Sequence, residues 1–75
     1  MLVTRMHEYR KRIGITQEEL AELVECRRET IGKIENGKYN PSLRLAMRIA
    51  TVFGATVEDV FFFEGEEWQT AKQRP

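Results

Sequence analysis

No helical stripe in this chain continues for more than about three turns before a stop or start signal interrupts it. Leu2, Met6, Tyr9 and Ile13 recur at spacings of four, three and four, opposite Arg5, Glu8, Lys11 and Arg12, which predicts an amphipathic first helix ending near Ile13. Gly14 follows where a left-handed residue closes a helix. Thr16-Gln17-Glu18-Glu19 has the form of a capping box, in which threonine and glutamate side chains satisfy each other's backbone N–H groups. It predicts a second helix with Leu20, Ala21, Leu23 and Val24 as its buried face, broken at Glu25-Cys26-Arg27. Thr30, Ile31 and Ile34 mark a short third helix that stops at the turn signal Asn36-Gly37. Beyond Lys38-Tyr39-Asn40-Pro41, Ser42 caps a fourth helix whose Leu45, Ala46, Ile49, Ala50 and Phe53 keep the 3.6-residue period until Gly54. Thr56-Val57-Glu58-Asp59 repeats the capping logic and opens a last brief helix through Val60 and Phe61.

A chain cut this way folds as five short helices, and its 75 residues suffice for one core. The fold class expected is all-α, with residues 1–64 as the domain and 65–75 as a polar tail that frays or joins a subunit contact. Met1-Leu2-Val3-Thr4 and Phe61-Phe62-Phe63-Glu64 are both rich in strand-favouring side chains, so the ends are expected either to pair as a short antiparallel β ribbon or to extend a subunit contact.

Composition removes several classes of function. The longest apolar run, Val60 to Phe63, is far shorter than the roughly 20 residues of a membrane span. Met1-Leu2-Val3-Thr4-Arg5 lacks the pattern of a secretory signal. With Cys26 as the single cysteine, neither an internal disulfide nor a multi-cysteine metal site is available, so a cytoplasmic protein without metal or other cofactor is expected. Catalysis calls for a nucleophile with its base, or for a metal with several ligands. His7 and Cys26 supply neither, so no enzyme and no small-molecule ligand are expected.

Net charge is zero but unevenly spread: residues 1–48 hold ten Lys and Arg against seven Asp and Glu, whereas residues 49–75 hold two against five. Arg27, Arg28, Lys33, Lys38, Arg44 and Arg48 stand against only Glu29 and Glu35 in the stretch they span. Such a run serves equally as a solvated helix face or as a surface for phosphates.

The spacing of the motifs is more specific. Two short helices joined by a tight turn and flanked by packing helices are the arrangement that lays its second helix in the major groove of DNA. Thr16-Gln17-Glu18-Glu19-Leu20-Ala21, Thr30-Ile31-Gly32-Lys33-Ile34-Glu35-Asn36-Gly37-Lys38 and Asn40-Pro41-Ser42-Leu43 resemble the phage repressor and Cro family, also called the XRE family, over roughly residues 5–63. The resemblance implies a five-helix lambda-repressor-like helix-turn-helix domain and a transcriptional regulator of double-stranded DNA, expected to act as a repressor.

It also implies roles for residues. Gln17, Arg28, Glu29 and Lys33 fall where the family meets base edges. Arg28 and Lys33 have the chemistry to donate to guanine, Glu29 to accept from cytosine. Arg27, Thr30, Asn36, Lys38, Tyr39 and Asn40, together with Gln17 in a second role, fall along the phosphate backbone, where contacts fix register without reading sequence; Thr30 also has the alternatives of a thymine methyl or its own helix. Arg10 and Glu35 match a structural ion pair between the first helix and the end of the third. Two positions depart from the pattern: Glu25 replaces the usual glycine of the turn, and Arg27 replaces the serine or threonine that caps the third helix.

Cys26 falls where the family places a small apolar side chain and is expected to be a buried, inert thiol. His7 is expected on the surface. Phe61, Phe62 and Phe63 cannot all enter one small core, so at least one is expected to face a partner, with Trp68 either joining that contact or covering the aromatics within one subunit. The reading is a homodimer on a palindromic operator. The alternative is an antitoxin-like module that binds another protein and DNA only secondarily.

Overall fold

The computed structural model describes residues 1–65. The elements in chain order are β1 (Leu2–Thr4), α1 (Met6–Ile13), α2 (Gln17–Val24), α3 (Arg28–Glu35), α4 (Leu43–Phe53), α5 (Val57–Val60) and β2 (Phe61–Phe63). The fold is all-α, five helices closed at one end by a two-stranded ribbon.

The start and stop signals act where they stand. The Thr16 hydroxyl accepts from the Glu19 N–H at 3.0 Å while the Glu19 carboxylate accepts from the Thr16 N–H at 2.8 Å, which closes the capping box of α2. Ser42 caps α4, and Thr56 with Asp59 forms a second closed box on α5. Gly14 and Gly54 terminate α1 and α4 in left-handed conformation.

The core gathers Met6 from α1, Leu20 and Val24 from α2, Ile31 and Ile34 from α3, and Ile49 and Phe53 from α4. Tyr9 stacks on Phe53 with ring centroids 5.2 Å apart. Three expectations about buried faces are corrected. Leu2 belongs to β1 and not to the stripe of α1, and Ile13, the last residue of α1, is 45% exposed because the inward stripe ends at Tyr9. Leu23 is 60% exposed. At about 100° per residue it lies roughly 60° outside the arc spanned by Leu20, Val24 and Ala21.

The terminal strands pair antiparallel, Leu2 with Phe63, Val3 with Phe62 and Thr4 with Phe61. Strand alternation resolves the three phenylalanines. Phe61 ends the helical run instead of continuing it, and is buried in its own core at 8% exposure, which removes it from the candidate dimer contact. Phe63 packs on the same core, whereas Phe62 faces outward beneath the Arg5 guanidinium, 5.1 Å from the ring centroid. Trp68 lies outside the described residues.

Gly37 fixes the ribbon against α3. Its φ is +73°, and a Cβ there would lie 2.6 Å from the Leu2 carbonyl oxygen, so both the backbone conformation and the close approach exclude a side chain.

Candidate nucleic-acid interface

α2 and α3, each eight residues long, meet at the turn Glu25-Cys26-Arg27. Glu25 takes the left-handed conformation, φ 61° and ψ 48°, and is the only non-glycine residue with positive φ among the described residues. The Cys26 N–H donates to the Ala21 carbonyl at 2.9 Å, closing the helix end in the manner usual for glycine. The turn thus keeps its shape without glycine, at a strain of roughly 1 kcal/mol. Cys26 is half-buried rather than buried, its thiol directed at the Arg27 carbonyl. Burial pushes that thiol's pKa up, away from reactive thiolate.

Arg27 stands at the N-cap of α3 in extended conformation, and no side chain caps the helix. From this end Arg28 and Glu29 emerge exposed, with Lys33 exposed one turn further on. At about 100° per residue these three, Gly32 and Asn36 share an arc of roughly 140°, while Ile31 and Ile34 face the core. Thr30 is half-buried at the edge of the arc, and Lys38, Tyr39 and Asn40 are exposed on the loop beyond α3.

Behind this surface lies a polar clamp. Arg10 Nε donates to Glu35 Oε2 at 2.7 Å and Nη2 donates to Oε1 at 3.1 Å, a two-point contact between side chains only 11% and 8% exposed. Arg10 Nη1 also donates to the Ile15 carbonyl, and Nη2 to Nδ1 of the exposed His7. Donation to Glu35 raises the pKa of the Arg10 guanidinium against partial desolvation, with the carboxylate's charge adding to the rise. Gln17, expected to meet DNA, is half-buried, and its Nε2 donates to Glu35 Oε1 at 3.1 Å. The side chains of α1, the start of α2 and the end of α3 therefore form one unit.

Sequence reasoning missed a second exposed feature. An open groove of about 710 Å³ runs between α2 and α4, with Leu23, Leu43, Met47 and Val52 as its apolar wall and Arg44 and Arg48 on its rim. Its signal was present in Leu43 and Met47, a pair four apart on α4 that lies off the inward stripe. Among the described residues no group of His, Cys, Asp or Glu is arranged to hold a metal ion, and no helix is long and apolar enough to cross a membrane.

Comparison with known proteins accords with this geometry. The family model described as Helix-turn-helix matches residues 6–60. Two relatives from Archaeoglobus fulgidus, both named as uncharacterized HTH-type transcriptional regulators, are 61% identical over 64 residues and 57% identical over 67. These matches cover 85% and 88% of this chain and 91% and 94% of the relatives. The crystal structure of the restriction-modification controller protein C.AhdI from Aeromonas hydrophila superposes with a TM-score of 0.68 at 33% identity, over 73% of this chain and 83% of that one. The chain belongs to the XRE-type helix-turn-helix family of transcriptional regulators, with a helix-turn-helix DNA-binding domain.

Proposed function

We propose that the protein is a cytoplasmic repressor that binds a palindromic DNA operator as a homodimer, with α3 in the major groove. The observation that carries this reading is the uncovered first turn of α3: Arg28 and Glu29 project from a helix start that no side chain caps, with Lys33 on the same arc. Free N–H groups and the positive end of the helix dipole attract phosphate. Arg28 then reads guanine, Lys33 supplements it and Glu29 accepts from cytosine. Arg27, Asn36, Lys38, Tyr39 and Asn40 hold the backbone on either side, with Thr30 at the edge.

In the dimer, two copies of α3 lie about 34–36 Å apart, one helical turn of DNA. Of the aromatics expected at the subunit contact, Phe62 and Phe63, both half-buried, remain the candidates on the ribbon.

The test is a binding titration on duplexes selected from a random pool and on scrambled controls. Arg28→Ala is expected to lose the preference for the selected duplex. Lys38→Ala is expected to weaken binding equally on both and to lower the salt slope by about one. Equal loss on both duplexes for Arg28→Ala would remove its role as a base reader. Sedimentation of the protein–DNA complex reads the stoichiometry, and one chain per operator would remove the dimer.

A further inference from the structure

Beside the terminal ribbon lies a second recess, of about 270 Å³. Its wall is apolar: Leu2, Phe61 and Phe63 from the ribbon, Leu43 and Ala46 from α4, and Val57 from α5. Leu43 is 72% exposed, so this wall meets water, and apolar surface in contact with water favours an occupant that covers it. Asn40 supplies the only polar side chain of the lining among the described residues, and its amide makes no hydrogen bond among them.

The chain itself leaves the ribbon at this recess. Phe63 is part of the wall, and the N–H of the next residue, Glu64, donates to the Met1 carbonyl at 3.0 Å, which holds the strand to its end. Gly65 then takes φ +70°, the left-handed conformation used in tight turns. Residues 66–75 lie outside the described residues, and Trp68 is the one large apolar side chain in their sequence. It stands five positions after Phe63, a reach of at most roughly 17 Å. A recess that Phe63 itself lines falls within that span, whereas no ribbon residue lines the groove between α2 and α4. Glu66 and Glu67, which precede Trp68, are opposite in charge to Arg44, which follows Leu43 on α4, is exposed and has no ion pair among the described residues.

We propose that the chain turns back at Gly65 and seats the Trp68 indole in this recess of the same subunit, completing the core at the ribbon end. Tryptophan matches the recess in both its parts. The rings bury against the apolar wall, and the indole N–H, a donor only, finds an acceptor in the Asn40 side-chain carbonyl. The short tether favours the chain's own indole over that of a second copy, because it holds the occupant at a high effective concentration. Phe63 is then covered within its own subunit, and Phe62, on the opposite face of the ribbon, is the one left for the proposed subunit contact.

The experiment uses the full chain, in which Trp68 is the only tryptophan, so tryptophan emission reports on this side chain alone. The emission maximum and the rate of quenching by acrylamide are measured for the folded protein at several concentrations and for the protein in denaturant. Thermal melting verifies that each variant folds. The folded chain is expected to emit to the blue of the denatured chain and to be quenched severalfold more slowly, at every concentration. Leu43→Glu and Val57→Glu place a charge in the wall, and each is expected to shift the emission to the red and to bring quenching towards the denatured rate. Met47→Glu, in the groove between α2 and α4, is expected to change neither. Folded and denatured chains that emit and quench alike would overturn the proposal, as would a red shift for Met47→Glu without one for Val57→Glu. A blue shift that fades on dilution would put the indole on a second copy and overturn the seat within one subunit. If Val57→Glu fails to fold, the contrast of Leu43→Glu with Met47→Glu decides. None of these measurements involves DNA, so this proposal and the proposed function stand or fall separately.

Discussion

The two helices of the motif are equal in length and begin with nearly the same backbone, yet one start is finished and the other is bare. Thr16, before α2, has φ −84° and ψ 168°, and Arg27, before α3, has φ −85° and ψ 149°. Both are extended N-cap conformations, so α3 has the geometry of a cap without a side chain able to accept. At α2 the capping box satisfies two backbone N–H groups within the protein. At α3 no side chain takes that part: the Thr30 N–H, which matches that of Glu19, turns to the Arg27 backbone carbonyl at 3.0 Å, beside the exposed Arg28 and Glu29. A local rule kept at the inner helix and broken at the outer one puts the break on the surface proposed to meet DNA.

The largest effect is expected from breaking what joins the two helices. Arg10 and Gln17 both donate to Glu35, so the start of α2 and the end of α3 share one carboxylate. Arg10→Met retains the apolar stem but leaves Glu35 without its charge partner in a nearly buried site, a loss on the order of 3 kcal/mol. For a domain of this size that is a large part of the total stability, at about 0.05–0.15 kcal/mol per residue. Chemical denaturation at neutral pH measures it, and a loss under about 1 kcal/mol would place the pair among ordinary surface salt bridges.

A smaller pair of changes exchanges the two starts. Arg27→Ser supplies α3 with the missing acceptor and is expected to stabilise the protein by about 1 kcal/mol while weakening operator binding, since both the phosphate partner and an open N–H are lost. Thr16→Ala opens α2 and is expected to destabilise by about 1 kcal/mol, with operator affinity unchanged for the folded fraction. Denaturation and binding are measured on both variants; if Arg27→Ser binds at full strength, the bare start has no functional meaning.

These contrasts also explain what the sequence made legible. The helix starts at Thr16, Ser42 and Thr56, the αL stop at Gly14, the ion pair of Arg10 with Glu35 and the pairing of the terminal strands are local signals or family likeness, and the structure contains each of them. Leu2 was misread because four apolar positions at spacings of three and four fit a helix even when the first lies in a strand. The three phenylalanines looked like surplus aromatics because the alternation of β2, which turns Phe61 inward and Phe62 outward, applies only once a strand is recognised. The engagement of Gln17 by Glu35 was invisible, since 18 positions separate the two residues and only packing of α2 on α3 brings them together.

The turn between the two helices supplies a still smaller effect. Glu25→Gly relieves the left-handed strain but adds freedom to the unfolded chain, and it removes the contact with Arg48 at 3.3 Å between exposed side chains. The expected net gain is about 0.5 kcal/mol, with operator preference unaltered because the turn already has the shape that glycine favours. A changed preference would mean that Glu25 holds α3 at an angle glycine would not.

The smallest effect comes from α5, whose capping box serves as a control for that of α2. The backbone N–H of Thr56, then its hydroxyl, hold the Asp59 carboxyl below the ordinary aspartate value, with Arg5 adding a lesser contribution of the same sign. A carboxyl whose pKa falls on folding stabilises the folded state above its unfolded value, about 3.9, and that contribution disappears as pH drops through the lowered folded value. Asp59→Asn keeps an oxygen that accepts from the backbone but has no charge to titrate. The melting temperatures of the two proteins are therefore expected to differ most near neutral pH and to converge on acidification below about pH 4. Parallel melting curves across that range would show that the box on α5 holds by geometry alone, and would leave the charge at its helix start without consequence for folding.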